Sequence, residues 1–249
     1  VRPDGSFWMN LEYFDYCHGL TMTNGRFDQL FGGPARAPEA PIEQHHMDLA
    51  ASVQQVTEEV VMRMAKEAHR ETQSPHLVLA GGVALNCVAN GRLLREGPFQ
   101  DVWVQPAAGD AGGALGAALF TWHQLLEKPR TVTGQDSQQG SLLGPRHSNE
   151  AIEVFLQSQA AISRRFPDEA QLLAEVARLL AQGKIVGWFC GRMEFGPRAL
   201  GARSILGDPR NAAMQATMNL KIKYRESFRP FAPCVLKERA TEYFALPPQ

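Results

Sequence analysis

The chain has 249 residues, of which 44% are hydrophobic and 20% charged, a composition typical of an ordinary globular protein. No apolar run approaches the ~20 residues that span a bilayer, so the sequence predicts no membrane partner. The net charge is −1, yet residues 192–229 carry eight basic and three acidic side chains, a local charge of +5. Such a local excess indicates either a bound anion or a solvated basic face.

The cysteines and the chain ends set two further expectations. Four cysteines are dispersed without CxxC pairs, which favours reduced thiols in a cytoplasmic protein. The sequence opens at Val1 without a methionine and closes on Pro248 and Gln249 after an apolar stretch. We therefore expect the chain to be a piece of a longer protein.

The first half of the chain predicts an α/β sheet. Residues 7–16 indicate a hairpin-like stretch, and an irregular loop follows it. Apolar residues then recur every three or four positions, which predicts a helix over 48–70 with Asp48 as its N-cap. Two strands and two helices alternate after it, at 77–80, 83–95, 101–105 and 114–126. Alternation of this kind predicts strands covered by helices in one α/β domain.

The second half is separated from the first by a polar, glycine-containing stretch. We interpret residues 131–147 as a linker between a domain over 1–130 and another over 148–249. The further predicted elements are a helix capped at 148 or 149, a helix capped by Asp168, a strand over 185–190, a loop over 191–210 and a helix from about 211.

Two glycine turns follow the two predicted strands of the first half, and each precedes a helix. The turns contain Gly81 and Gly82, and Gly112 and Gly113. Glycine lets a ligand approach the backbone, and a helix N-terminus attracts phosphate, so the pair favours a nucleotide. Neither turn matches GxxxxGK[ST] or GxGxxG, and tight strand-to-helix packing is the alternative. Asp110 suits a metal ligand beside phosphate, or else an N-cap.

An arginine-rich stretch carries the second candidate site. Three arginines lie among glycine, proline and apolar residues directly after a predicted strand, and they are Arg192, Arg198 and Arg203. Guanidinium groups offer two parallel donors to a carboxylate, phosphate or carbamate. Lys221 and Arg229 add positive charge downstream, around the apolar sequence FRPFAP. The sequence therefore predicts a site for a planar oxyanion here.

Both constellations, in this order, resemble the family of nodulation-factor and antibiotic O-carbamoyltransferases. Residues 77–86 (LVLAGGVALN) and 106–116 (PAAGDAGGALG) are similar to the C-terminal half of that family's actin/hexokinase-like (ASKHA) domain. Residues 191–204 and 219–233 are similar to its YrdC-like C-terminal domain. The resemblance implies an α/β fold made of these two domains, each of them incomplete in this chain.

The resemblance also implies a reaction and a set of ligands. The YrdC-like domain would join carbamoyl phosphate and ATP into carbamoyl-adenylate and pyrophosphate, and the actin-like domain would pass the carbamoyl group to an acceptor hydroxyl. It implies a divalent metal, iron in such families, with Mg²⁺ an option for ATP, and only Asp110 matches a ligand position. The nucleotide positions are Gly81, Gly82, Asn86, Gly112 and Gly113. The carbamoyl phosphate positions are Arg192, Arg198, Arg203, Lys221 and Arg229.

Other readings of the sequence stay open. A sugar or acetate kinase on the same scaffold would use the glycine turns for ATP but would leave the arginine-rich stretch without a purpose. A non-catalytic nucleotide- or RNA-binding module is another alternative. For RNA it would use the basic residues, but few aromatic residues are interleaved for base stacking. The acceptor, the general base and the oligomeric state stay undetermined, with a homodimer as one option. We expect residues 1–249 alone to show little or no carbamoyl transfer.

Overall fold

The computed structural model describes residues 1–246, in which helices and strands are mixed as predicted. The chain forms two compact units that are interleaved along the sequence. The first contains residues 1–163 and 188–204, and the second contains residues 164–187 and 205–249. This division differs from the predicted one, in which a linker over 131–147 separates a domain over 1–130 from a domain over 148–249. The predicted domains stay a prediction.

The first unit is built on a long helix and a small parallel sheet. Helix α1 spans Gly25–Phe31 and helix α2 spans Gln44–Thr72. Strand β1, His76–Leu79, pairs in parallel with strand β2, Asp101–Val104, so that His76 lies beside Asp101 and Leu79 beside Val104. Helix α3, Cys87–Glu96, connects the two strands. The α/β alternation predicted for this part of the chain is confirmed.

The core of the first unit lies where α2, α3 and the sheet meet. Its buried members are Met62 and Ala65 from α2, Leu93 from α3, and Phe99. Leu77, Leu79 and Val102 of the strands pack against this cluster. The helix predicted over 48–70 is confirmed, but its predicted apolar stripe is not the buried face. Val53, Val56 and Met64 of that stripe are exposed, whereas Met62 and Ala65 are buried.

Two helix starts in the first unit differ from the prediction. Helix α2 begins four residues before Asp48, because Glu43 and His46 form a reciprocal capping box at its N-terminus. Asp48 therefore lies inside the helix, where it accepts a hydrogen bond from Gln44, and the predicted N-cap is wrong. Helix α4, Asp110–Phe120, begins before the predicted Ala114 and continues into a π-helical turn over Thr121–Leu125.

The remaining elements of the first unit are short. The predicted hairpin over 7–16 is a 3₁₀ helix, Leu11–Tyr13, followed by one antiparallel bridge between Phe14 and Thr23. Further 3₁₀ turns lie at Gly82–Leu85 and Gln139–Ser141. Helix α5 spans Asn149–Ser158 and is capped by Ser148, as predicted.

The second unit contains helix α6, Glu169–Ala181, whose N-cap is Asp168 as predicted. Helix α7, Met214–Met218, runs into a π-helical turn, Asn219–Lys223. A 3₁₀ turn and helix α8 follow at Lys237–Arg239 and Ala240–Tyr243. Met214 and Met218 are buried and pack close to Gly207.

A second two-stranded sheet pairs strand β3, Val186–Phe189, with strand β4, Arg203–Leu206. Strand β3 was predicted, whereas β4 lies inside the predicted loop 191–210, so that part of the loop prediction is wrong. Across residues 1–246, no helix combines the length and the apolar character needed to cross a membrane.

Candidate functional site

The two glycine turns are neighbours in the first unit. Each follows the carboxyl end of one strand of the parallel pair β1–β2. The N–H of Gly81 donates to the carbonyl of Ala108 over 2.7 Å, which joins the two turns directly. Gly81 has a φ of +101°, a backbone conformation that favours glycine. The structure therefore places both turns at one edge of the sheet, where ligands of open α/β sheets bind.

The four glycines of these turns do different things. A Cβ on Gly112 would lie 2.0 Å from the carbonyl oxygen of Ala107, so Gly112 serves tight packing at the start of α4. In contrast, a Cβ on Gly81, Gly82 or Gly113 would meet no other residue within 4 Å. These three glycines keep an open side. They are the positions where a ligand could approach the backbone.

Asn86 has a structural use in this fold. Its side-chain oxygen accepts from the N–H of Ala89 over 3.1 Å and so caps helix α3. Its amide also exchanges hydrogen bonds with the Gln54 amide, at 2.9 and 3.2 Å. Contact between Asn86 and a nucleotide stays a prediction, and it would have to compete with these bonds.

Asp110 is the first residue of α4, and Gly109 occupies the N-cap position. The N-cap alternative for Asp110 is therefore wrong. Its exposed carboxylate has no hydrogen bond or ion pair within residues 1–246, although the positive end of the helix dipole favours a negative charge there. In the described part of the chain, no three His, Cys, Asp or Glu side chains are grouped to hold a metal ion.

The arginine loop, defined here as residues 191–203, packs against the second glycine turn. Gly196 has a φ of +123°, and a Cβ there would lie 3.1 Å from the Cβ of Ala107. The N–H of Phe195 donates to the carbonyl of Ser141, a fully buried residue, over 2.7 Å. Met193 exchanges backbone hydrogen bonds with the segment 144–145. The anion-binding candidate and the nucleotide-binding candidate thus lie side by side in the first unit.

A buried carboxylate holds the arginine loop together. Glu194 is only 2% exposed, and its Oε1 accepts from the N–H groups of Leu200 and Ala202 at 2.9 and 2.6 Å. Its Oε2 is buried with no hydrogen-bond partner among the described residues. Burial raises the pKa of Glu194, but the backbone N–H groups and the nearby Arg203 outweigh it and lower the pKa below its ordinary value. The group is therefore a carboxylate at neutral pH.

Two of the three predicted arginines of the loop bind backbone carbonyls, and the third has no partner among the described residues. Arg192 donates to the carbonyl of Gly144 over 2.7 Å, and Arg203 donates to the carbonyl of Gly196 over 3.1 Å. Arg198 is exposed, and its side chain has no partner within residues 1–246. Arg198 is therefore the loop arginine whose whole set of donors is available to an anion.

The basic segment, residues 219–231, belongs to the second unit and is organised by an amide. Asn219 is fully buried and donates to the carbonyls of Ser227 and Arg229 at 3.0 and 2.7 Å. It accepts from Nε of Arg225 over 2.6 Å, and that guanidinium lies 4.9 Å from the ring centroid of Phe231.

Cations remain free beside this anchor. The side chains of Lys221 and Arg229, two predicted anion ligands, are exposed and unpaired among the described residues. The structure thus leaves both of them available for an anion, as it does Arg198 in the first unit.

Sequence reasoning missed Glu194 and Asn219, which shape the two cationic regions. Glu194 is the single acid among the residues of the arginine loop. A carboxylate in such a setting is either a partner of the arginines or an acceptor for backbone N–H groups. Asn219 offers a weaker signal, because asparagine is common in loops and its burial could not be read from spacing.

Comparison with known families identifies the chain. The sequence model described as the carbamoyltransferase N-terminus matches residues 1–119, and the one described as the carbamoyltransferase C-terminus matches residues 177–249. The chain belongs to the carbamoyltransferase family. Both glycine turns lie in the N-terminal match of this family, and the arginine loop and the basic segment lie in its C-terminal match.

Several curated proteins share this similarity. The uncharacterized protein sll1178 of Synechocystis is 59% identical over 99% of this chain, and the nodulation protein NolNO of Sinorhizobium fredii is 45% identical over 83% of it. The 3'-hydroxymethylcephem-O-carbamoyltransferase of Streptomyces clavuligerus is 31% identical over 78%. The chain spans 40%, 30% and 34% of the length of these three relatives.

Proposed function

We propose that the protein to which this chain belongs is an ATP-dependent O-carbamoyltransferase. The observation that carries the proposal is the packing of the arginine loop on the second glycine turn, with Gly196 against Ala107. A loop whose arginines suit an oxyanion thereby lies beside glycines whose open side suits phosphate. The similarity to the 3'-hydroxymethylcephem-O-carbamoyltransferase of Streptomyces clavuligerus supports the reaction class.

Carbamoyl-adenylate contains the carbamoyl group and AMP, so the phosphoryl group of carbamoyl phosphate must leave with water as orthophosphate. A carbamate oxygen then bonds to the α-phosphorus of ATP, and pyrophosphate leaves. In the second step the acceptor hydroxyl bonds to the carbamoyl carbon, AMP leaves, and the hydroxyl proton passes to solvent or a base. Each step concentrates negative charge on oxygen, which positioned cations stabilise.

The residues of the chain take distinct parts in this proposal. Backbone groups near Gly81, Gly82 and Gly113 would meet the phosphates of ATP, with the N-termini of the following helices adding a favourable dipole. Arg198 would bind the oxyanion of carbamoyl phosphate, while Arg192 and Arg203 hold the loop. Lys221 and Arg229 are further anion ligands in this proposal.

A divalent metal fits one residue of the described chain. The unpaired carboxylate of Asp110, at the start of α4, has the hard oxygen that Mg²⁺ or iron accepts. The remaining ligands would have to come from elsewhere in the protein, since no three His, Cys, Asp or Glu side chains lie close enough together within residues 1–246 to hold a metal ion. A bound metal would supply charge neutralisation at phosphate or activation of the acceptor hydroxyl.

Product analysis of the full-length protein tests the proposal. The protein is given ATP, carbamoyl phosphate and a panel of hydroxylated small molecules, and the nucleotide products are separated. We expect AMP and pyrophosphate to form only with carbamoyl phosphate, and a carbamate ester to form with one acceptor class. ADP together with a phosphorylated sugar would instead establish a kinase.

A pair of matched variants tests the nucleotide position. Gly113 and Gly116 both lie in α4, and a Cβ on either would meet no other residue within 4 Å. Gly113→Leu should weaken ATP binding at least about tenfold, because the side chain would occupy the open side of the turn. Gly116→Leu is the control and should leave the ATP dissociation constant unchanged. Equal behaviour of the two variants would place the nucleotide elsewhere.

A further inference from the structure

The tip of the arginine loop requires an anchor. Residues 195–201 leave Glu194 and return to Ala202, and this stretch contains no helix or strand. Gly196 and Gly201 have φ values of +123° and +117°, and free glycines sample many conformations. Arg198 lies in the middle of the stretch and has no partner of its own in residues 1–246. Its position therefore depends on what closes the loop at its base.

The closure is made by one side chain. Oε1 of Glu194 accepts hydrogen bonds from the backbone N–H groups of Leu200 and Ala202, and so ties the start of the loop to its end. Hydrogen bonds to an ionised acceptor are stronger than neutral ones. The carboxylate is almost fully buried, so water competes little for these two N–H groups.

We propose that Glu194 is the positioning residue of the anion site, which fixes Arg198 for carbamoyl phosphate without touching the substrate itself. The inference rests on the proposed function. The burial of both carboxylate oxygens supports an indirect role, because an oxygen enclosed by the protein cannot also contact a ligand. The carboxylate also offsets the positive charge of Arg203, whose side chain closes the same loop at Gly196.

A double-mutant cycle in the full-length protein tests this role. Arg198→Ala should raise KM for carbamoyl phosphate about tenfold or more, by loss of a charge-assisted contact. Glu194→Ala should raise the same KM by a similar factor, with the KM for ATP changed less than about twofold. The double variant should be no worse than about twofold beyond Arg198→Ala alone, since residues that act as one unit are not additive.

Two further variants separate positioning from general destabilisation. Glu194→Gln keeps one acceptor oxygen for Leu200 and Ala202 and should restore KM to within about threefold of the unchanged protein. Asp168→Ala is the matched control, because Asp168 also accepts a backbone N–H, that of Gln171, but does so at the start of α6. It should leave KM for carbamoyl phosphate unchanged. Amide exchange at Leu200 and Ala202 should accelerate in Glu194→Ala only.

The outcomes distinguish this inference from the proposed function. If the unchanged protein does not use carbamoyl phosphate, or Arg198→Ala leaves its KM unchanged, the proposed function or its anion site is wrong. If Arg198→Ala has its effect but the effects of Arg198→Ala and Glu194→Ala multiply in the double variant, Glu194 does not act through Arg198. Should Glu194→Ala fail to fold, an unchanged KM in Glu194→Gln combined with unprotected amides at Leu200 and Ala202 would also overturn the inference.

Discussion

The arginine loop and the basic segment are both cationic, yet a buried side chain of different chemistry organises each. Glu194 is charged and accepts only, so it collects backbone N–H groups from Leu200 and Ala202. Asn219 is neutral and both donates and accepts, so it collects two carbonyls and the Nε of Arg225.

This difference shows how a protein can hold cations ready for an anion. The unpaired cations, Arg198, Lys221 and Arg229, have no side-chain hydrogen bond or ion pair of their own among the described residues to fix their positions. In each region the backbone around them is held by one buried polar side chain, Glu194 or Asn219. A charged anchor is open to titration and tolerates loss of charge if one acceptor remains. A neutral amide such as Asn219 does not titrate, but it works only while its NH₂ group points at the backbone carbonyls that it serves.

The largest effect is expected for Asn219→Asp. The change replaces the donor that serves the Ser227 and Arg229 carbonyls by an oxygen, which repels both of them. We expect the free energy of unfolding to fall by about 3 kcal/mol, from two lost hydrogen bonds and their buried acceptors. Urea denaturation measures this value.

The control for this variant is Asn211→Asp at an exposed position. The side-chain oxygen of Asn211 accepts from the N–H of Ala213, and an aspartate can keep that bond. We expect a change within about 0.5 kcal/mol. Similar losses for Asn211→Asp and Asn219→Asp would show that the added charge, and not the buried donor, causes the effect.

Glu194→Gln should have a smaller effect than Asn219→Asp, although it is the same kind of isosteric exchange. The amide can direct its oxygen to Leu200 and Ala202 and place its nitrogen where Oε2 has no partner among the described residues. We expect a loss of about 1 kcal/mol in urea denaturation. A loss as large as that of Asn219→Asp would remove the distinction between the two anchors.

Acid should loosen the arginine loop before the basic segment. The folded state lowers the pKa of Glu194 below 4.5, so its stabilisation is complete above that pH and is lost as the pH falls through the lower folded value. Asn219 does not titrate. In the second unit, hydrogen bonds from Arg210 lower the pKa of Asp208 to about 2, so this ion pair is lost only as the pH falls toward that value.

Amide hydrogen exchange, corrected for intrinsic rates, measures this order. Protection at Leu200 and Ala202 should decrease first, while the amide of Arg225, which donates to the Asn219 carbonyl, should keep its protection. Simultaneous loss at the two places would indicate global unfolding and would not support a separate response of the carboxylate anchor.

The smallest effect on stability is expected for Arg198→Ala. The side chain is exposed and has no partner within residues 1–246, so the free energy of unfolding should change by less than about 0.5 kcal/mol. Arg203→Ala is the comparison, because it removes the bond to the Gly196 carbonyl and should cost about 1 kcal/mol. Thermal unfolding of both variants tests whether Arg203 stabilises the fold while Arg198 does not.

Much of the first unit could be predicted from the sequence. The strands His76–Leu79 and Asp101–Val104 were predictable because each contains a short apolar run with glycine or proline close to it in the sequence. The helical period of α2 was equally clear, but its buried residues, Met62 and Ala65, were not those that the period marked. The start of α2 was missed because Glu43 and His46 are not residues that usually form a capping box.

Strand β4 shows where local pattern fails. Arg203–Leu206 is four residues long and begins with an arginine and a serine, so nothing in its own sequence separates it from the loop before it. Its partner is β3, on the other side of the arginine loop, and such pairing decides strand formation as much as propensity does.

The candidate site divides in the same way. The residue types of the glycine turns and of the arginine loop were readable, and so was their resemblance to a family. Which arginine is free was not, because Arg192 and Arg203 are occupied by carbonyls that only the folded backbone brings near. The same holds for Gly112, whose need for a bare backbone comes from the Ala107 carbonyl.

Ala107 connects these observations. It is fully enclosed, its carbonyl excludes any side chain at Gly112, and its methyl group touches the site of a Cβ on Gly196. One small residue therefore sets the gap between the candidate nucleotide turn and the candidate anion loop. Directed evolution of either candidate site should spare this position, since a bulkier side chain would push the turn and the loop apart instead of reshaping either.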